Sequence, residues 1–481
     1  MLFNSFFFLG FFALVAVLHY AAPMRWRWVL LLVASYYFYG SFDPRFTLLL
    51  VYATVVAYLF GRLLEGRKGT RQGKVLLAFG IVASLAVLVL FKYADFLLSS
   101  AESVLAPISE AAEPFTLPRL EWILPAGLSF FTFSCVSYLV DCYRGTIPAE
   151  RHLGRLAVYV AFFPKLIAGP IERASTFLPQ LERGTRFEPE LVTFGLQLLL
   201  WGLFKKVVIA DRLAEFVDAG FSNPDFQSPI TLLIAVYFYA FQIYCDFSGY
   251  SDMATGLSAI LGYRLMENFR RPYLSRSVPE FWAQRWHISL AAWFRDYLYI
   301  PLGGNRVSKQ RWYFNQMAVF AVSGLWHGAN WTFVVWGALN GLYQVLYYVL
   351  GAPRKALGAT LPSWLWNTMG VLLTFHLILI SWVFFRAESI TAAWKVLTRI
   401  FSSLPLLPML VGSYNWSVSF WIAVVLIALL LLIECLDEMR SMWVRLAGQP
   451  TPVRWGVYYA LLGCLIVIGQ WGMTEFVYMQ F

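Results

Sequence analysis

Apolar runs of about twenty residues recur along the chain, separated by short stretches rich in Arg and Lys. A helix needs about 20 apolar residues to cross a bilayer, and counting such runs gives roughly ten to twelve crossings within one continuous domain, residues 1–481. The run at 6–20 has no Lys or Arg before it, so it reads as a retained first span and not a cleaved signal. Residues 75–98 and 123–140 are further spans. The pattern loosens from 152 to 202, where Pro164, Pro170 and Pro179 interrupt it and Lys165 sits inside the apolar stretch. Such backbone is tolerated at membrane depth only under protein or beside a water-filled cavity, so re-entrant or interfacial pieces are predicted there. Residues 230–261 read as two short spans turning near Asp246 to Asp252. Residues 278–304 are amphipathic: Trp282, Trp286, Leu290 and Trp293 share one helical face, and Glu280, Gln284, His287 and Arg295 another. This predicts an interfacial or re-entrant helix with His287 on its wetter side.

Composition agrees with the pattern. Hydrophobic residues are 59% of the 481 and charged ones 13%, too few to clothe a soluble core of this size, so lipid is the solvent for most of the chain. The net charge of +10 does not point to nucleic acid, because the basic residues lie in the loops, where they set orientation. Arg25 and Arg27, then Arg62 to Lys74, Lys205 and Lys206, Arg264 to Arg276, Arg306 to Arg311, Arg354 and Lys355, and Arg440 to Arg454 all read as cytoplasmic. Glu102, Glu110, Glu113 and Glu121 mark an outer segment. Both termini are thereby predicted extracytoplasmic, with a short aromatic tail at 475–481. The five cysteines show neither a disulfide framework nor metal-ligand spacing, so no metal is expected.

The candidate chemistry lies at Ser323 to Trp331. Read as helix, Ser323, His327, Asn330 and Trp331 fall on one face, a polar stripe in a tryptophan-rich wall. An ionisable residue at membrane depth usually faces a cavity or pathway, and His327 is predicted to face a reaction chamber. A desolvated imidazole is pushed toward its neutral form, the one able to act as a base. Acyl transfer to a hydroxyl needs such a base and donors for the developing oxyanion. Asn330 is a candidate for orienting His327 or for supplying a donor, and the residues alone do not choose. Against this stand plainer roles: His327 as a packed ring, His287 as an interfacial residue, and His19, His152 and His376 as structural residues. Structural support is likewise the favoured role of Asp246 and Asp252.

Three blocks carry a resemblance. They are Asp246-Phe247-Ser248-Gly249-Tyr250-Ser251-Asp252-Met253-Ala254; Glu280-Phe281-Trp282 with Arg285-Trp286-His287-Ile288-Ser289-Leu290 and Phe294-Arg295-Asp296-Tyr297-Leu298-Tyr299; and Gly324-Leu325-Trp326-His327-Gly328-Ala329-Asn330. Phe163 to Pro170, Met266 to Phe269 and Leu302 to Asn305 extend it over most of the chain. The chain resembles the membrane-bound O-acyltransferases, in the branch of alginate O-acetyltransferases. The resemblance implies an all-α polytopic membrane fold of roughly 10–12 transmembrane helices, with re-entrant or interfacial helices around a central tunnel. It implies acyl transfer built on His327, with His287 a second family histidine and Ser323, Trp326 and Asn330 in support. The donor would be a cytoplasmic thioester such as acetyl-CoA, with no bound cofactor, and the acceptor an extracytoplasmic polysaccharide such as alginate, cellulose or peptidoglycan. The setting would be a bacterial inner membrane. Related acyl-export systems end in a short aromatic motif with a tyrosine, so Tyr478 is a candidate acyl relay, with interface anchoring the alternative. The chain has no Gly-x-Ser-x-Gly elbow, so the extracytoplasmic transferase, of SGNH type, is expected to be a separate protein. The competing reading is a polysaccharide or solute transporter with structural histidines. Transporters commonly carry internal repeats, and none is evident here.

Overall fold

The computed structural model describes residues 1–105, 117–414, 416–439, 441–472 and 476–477. Helices make up most of these, with a single isolated bridge, Phe269 to Trp286, as extended pairing among the described residues. The helices named below are α1 (Phe6–Ala21), α2 (Arg27–Gly40), α3 (Pro44–Leu64), α4 (Arg71–Leu105), α5 (Leu128–Arg144), α6 (Leu153–Ala161) and α7 (Ala174–Arg183). They continue with α8 (Pro189–Phe221), α9 (Pro229–Ile260), α10 (Ile288–Phe294), α11 (Lys309–His327), α12 (Trp331–Val349), α13 (Ser363–Arg386), α14 (Ile390–Ser402), α15 (Val418–Met439) and α16 (Thr451–Val467). Six of these described helices, α3, α4, α8, α9, α13 and α15, are each long and apolar enough to cross a bilayer. A seventh span forms if α12 and the helix after it, bent by 65°, are taken together. The other apolar runs behind the count of ten to twelve are shorter helices such as α1 and α16.

At the centre stand α5 and α9, whose side chains are buried on almost every side. The Pro-interrupted stretch folds as predicted into short pieces: α6, one turn at Phe163–Leu166, and α7, with nearly the whole of 156–172 buried. Lys165 is accommodated there by rings, its Nζ 4.6 Å from the centroid of Tyr159 and 5.7 Å from that of Phe177.

Residues 229–260 correct the expectation of two short spans: α9 is one unbroken helix of 32 residues. Its polar middle does not force a turn because α8 neutralises it. Lys205 and Lys206, expected in a cytoplasmic loop, lie within α8 in its π-helical stretch Phe204–Ala210. Lys206 Nζ sits 2.7 Å from Asp246 Oδ1 and 2.8 Å from Asp211 Oδ1, and Lys205 Nζ 2.7 Å from Asp252 Oδ2. A buried charge is tolerated only when paired and hydrogen-bonded, and the facing acids meet that need. Glycines let the two helices approach: a methyl on Gly195 would lie 2.6 Å from the Gly256 carbonyl oxygen, and one on Gly202 2.6 Å from that of Gly249. Small residues at such crossings replace the hydrophobic drive that lipid removes.

Of the segment 475–481, the described residues are Phe476 and Val477, and both are buried. Val477 N donates to Asp246 Oδ2 at 2.8 Å, and the Phe476 ring lies 4.4 Å from Lys206 Nζ and edge-on to Tyr250. Tyr478 lies outside the described residues.

Candidate active site

Residues 278–300 do not form one amphipathic helix. A π-helical turn, Phe281–Arg285, gives way at Trp286 and His287 to α10, and His287 takes left-handed backbone angles, φ 46° and ψ 53°. That conformation costs a non-glycine residue about 1–2 kcal/mol, and tertiary bonds offset it. Ile288 N donates to Asn268 O and Arg270 N to Arg285 O, both at 2.9 Å. Asn268 Oδ1 accepts from Ser289 N and Ser289 Oγ, while its Nδ2 donates to Ser251 Oγ at 3.1 Å. The predicted wet side is thereby corrected: His287 is 2% exposed, with its ring among Phe130, Phe247, Phe269 and Trp326. The break turns it inward, which a continuous helix would not do.

His327 is the last residue of α11. This helix packs antiparallel on α12 so closely that a methyl on Gly324 would overlap the Phe333 carbonyl oxygen, and one on Gly337 that of Phe320. His327 is 4% exposed, and its ring centroid lies 4.9 Å from those of Trp326 and Trp336 and 5.2 Å from that of Phe385. The end of a helix leaves its last carbonyls without intrahelical donors, and here α4 supplies them. Lys92 Nζ donates to the carbonyls of Trp326 (2.7 Å) and His327 (3.0 Å), and Tyr93 Oη to that of Leu325 (2.7 Å). Both donors belong to the π-helical turn Val89–Tyr93 of α4, a distortion common at functional positions.

Because α11 stops at His327, the predicted stripe does not continue. Asn330 caps α12 instead, its Oδ1 accepting from Thr332 N at 3.0 Å and its Nδ2 donating to Glu388 O at 3.1 Å. Its amide is thus committed away from the imidazole, which corrects its expected role beside His327. Trp331 is exposed on α12 and touches Phe96. Ser323, one turn before His327, keeps its place on the site, and Trp326 bridges the two histidines, its ring 5.9 Å from His287 and 4.9 Å from His327.

A cavity of about 310 Å³ joins these groups; it is lined by Trp286, His287, Ser323 and His327 inside and by Arg295 and Tyr299 toward the surface. The Arg295 side chain is largely exposed and pairs with Asp296 at 2.8 Å, so the space runs from a polar, charge-paired mouth to two buried imidazoles. Trp286 Nε1, buried on this cavity, has no hydrogen-bond acceptor among the described residues. Nor do three or more His, Cys, Asp or Glu side chains converge there as a metal site would require, among the described residues. Sequence reasoning missed Lys92, Tyr93 and the donor of Trp286. Lys92 could have been noticed as a lone ionisable residue in the apolar run 75–98.

Helices long enough to cross a bilayer surround a space that leads to two buried imidazoles, an arrangement suited to proton and group transfer inside a membrane. The comparisons make it specific. Residues 152–389, which hold both histidines and the cavity lining, match the model of the MBOAT, membrane-bound O-acyltransferase family. The chain is 42% identical over 389 residues to the "Probable alginate O-acetylase AlgI" of Pseudomonas aeruginosa, covering 80% of this chain and 72% of that protein. It is 35% identical over 416 residues to a peptidoglycan O-acetyltransferase of Helicobacter pylori, covering 81% and 76%. To a teichoic acid D-alanyltransferase of Bacillus subtilis it is 28% identical over 273 residues, covering 54% and 68%. The chain belongs to the membrane-bound O-acyltransferase family. It is a multi-pass membrane enzyme that transfers acyl groups to oxygen.

Proposed function

We propose that this enzyme takes an acetyl group from a cytoplasmic thioester, acetyl-CoA, and passes it across a bacterial inner membrane for O-acetylation of an extracytoplasmic polysaccharide such as alginate. The observation that carries the reading is the cavity that joins the surface at Arg295 to His327. A polyanionic coenzyme cannot enter hydrocarbon, so it stays at the mouth, on the side where Arg306, Lys309 and Arg311 place the cytoplasm. The thioester end alone reaches inward. His327 takes the proton of the acceptor hydroxyl, the freed oxygen attacks the thioester carbonyl, and the C–S bond breaks as the thiolate accepts that proton. The indole N–H of Trp286 supplies a donor to the developing oxyanion, one of the two roles for which Asn330 was a candidate. His287 shares the cavity as second histidine, and Ser323 and Trp326 shape it.

Tyr478 follows directly on Val477 and is the proposed relay that hands acetyl to an SGNH-type transferase outside. The amino acids provide the chemistry with no bound cofactor. The relatives named for alginate and peptidoglycan acetylation support the acetyl group and the polymer class. The test is His327→Ala in cells that make the polymer: acetylation is lost while the protein stays folded and the polymer is still exported. Lost export with retained acetylation would favour a transporter. For the relay, mass spectrometry of the C-terminal peptide during turnover shows acetyl on Tyr478; an unmodified peptide counts against it.

A further inference from the structure

A second cavity, about 750 Å³ in volume, lies between α8, α9, α15 and α16. The Phe269 to Trp286 bridge stands between it and the histidines, since Phe269 lines the second cavity and Trp286 the first. Its outer wall belongs to helices that face lipid: Phe194 of α8 and Val457 of α16 are exposed apolar residues on its border. These helices are tied by Gln197 Nε2 donating to Tyr458 Oη at 2.7 Å, and at the end of α16 by Arg212 Nη2 donating to Ile468 O at 2.7 Å. The lining carries four bases, Lys205, Arg270, Arg271 and Arg445, and four acids, Asp252, Glu267, Glu434 and Asp437. Three pairs cancel within the protein: Lys205 with Asp252, Arg270 with Glu267, and Arg271 with Asp437. Arg445 and Glu434 remain without an ionic partner among the described residues. Glu434 is 6% exposed and accepts from Tyr244 Oη on one oxygen, while its Oε2 has no hydrogen-bond partner among the described residues. A buried polar atom left without a partner is uncommon in a folded protein.

We propose that this cavity binds one phospholipid whose headgroup bears both a phosphate and a primary ammonium, of the phosphatidylethanolamine type. The ammonium donates to Glu434 Oε2, the phosphate lies on Arg445, and the acyl chains leave along Phe194, Leu198 and Leu461 into the bilayer. A balanced lining with one base and one acid left over suits a zwitterion and not a polyanion such as a coenzyme. Occupancy bears on catalysis, because Ser251 and Asn268 line this cavity while Asn268 also holds Ser289, two residues from His287. The bound lipid braces the 265–271 strap that keeps the His287 break in place.

The test uses the full chain purified in detergent, delipidated, and offered phosphatidylethanolamine, phosphatidylcholine or phosphatidylglycerol, with retained lipid read by native mass spectrometry. One phosphatidylethanolamine per chain should be retained at least tenfold over the other two. Glu434→Gln and Arg445→Gln should each lower its retention about tenfold. Leu461→Trp, which fills the apolar end and leaves the charges intact, should do the same in a chain shown folded by its thermal transition. Activity of the wild type should rise on adding this lipid and that of Leu461→Trp should not. Equal retention of all three lipids, retention unchanged in the three variants, or displacement of the lipid by free coenzyme A overturns the proposal. His327→Ala should bind the lipid normally, so a failure here is distinguishable from a failure of the acyl-transfer reading.

Discussion

Removing the ammonium of Lys92 should disable the enzyme without touching anything in the cavity. Lys92→Met keeps the length and apolar stem of the side chain and deletes the donor to the Trp326 and His327 carbonyls. A buried acceptor left unsatisfied costs about 1–3 kcal/mol, so two leave the last turn of α11 weakened by about 2–6 kcal/mol. The turn responds by fraying or by twisting its carbonyls toward other donors, and His327 is its final residue. With His327 in the proposed role of base, a displacement of 1 Å lowers rate about 10²-fold. The expected result is a fall in kcat of that order with KM little changed, since the mouth at Arg295 is intact. Lys92→Arg, which keeps donors and charge, should recover a substantial part. Tyr93→Phe removes one neutral hydrogen bond, about 1 kcal/mol, and should cost only a few-fold. The assay is acyl transfer to a soluble acceptor by purified enzyme, with the proposed acetyl thioester as donor, beside thermal unfolding. A folded Lys92→Met enzyme with kcat within twofold of wild type would show that Lys92 does not position His327.

Asn330→Ala should lower stability by about 0.5–2 kcal/mol through loss of the α12 cap and leave kcat within a few-fold in enzyme that remains folded; a 10²-fold loss of kcat would return Asn330 to the chemistry. Asp246→Asn removes one of the charges on buried Lys206, and breaking a buried pair costs about 3–5 kcal/mol. Its thermal transition should therefore fall further than that of the cap variant; an unchanged transition would mean that Asp211 alone suffices for Lys206.

The legible parts of this molecule were those set by local pattern. The apolar runs ending near Gly61 and at 365–385 and 416–433 became α3, α13 and α15, helices of spanning length, and the three prolines after His152 marked the broken segment. That His327 borders a cavity was legible because an imidazole among tryptophans at membrane depth is chemically conspicuous. Features decided by distant partners were not. Lys205 and Lys206 look like a loop signal until Asp246 and Asp252, some forty to fifty residues on, are placed beside them. The polar block in α9 suggests a turn for the same reason. The left-handed break at His287 depends on pairing with Asn268 and Arg270, and helical periodicity drawn through 278–304 has no means of registering it. Asn330 shows a subtler failure: a correct helical period was extended one turn beyond where Gly328 lets the helix end. Lys92 was in plain view, but its acceptors lie 234 and 235 residues away.

The bond from Val477 to Asp246 spans 231 residues, and its direction in time matters. At about 5–20 residues per second of synthesis, roughly 10 to 50 s pass between the ribosome's adding Asp246 and its adding the amide that completes that carboxylate's coordination. Through this interval α8 and α9 can already be inserted and paired, yet Asp246 Oδ2 still lacks its last donor. Nascent chains of this enzyme therefore pass through the translocon with an unfinished centre, and a stop codon just before Phe476 would release a protein whose defect lies deep in its interior. Membrane quality-control proteases should remove such a product faster than the full-length chain.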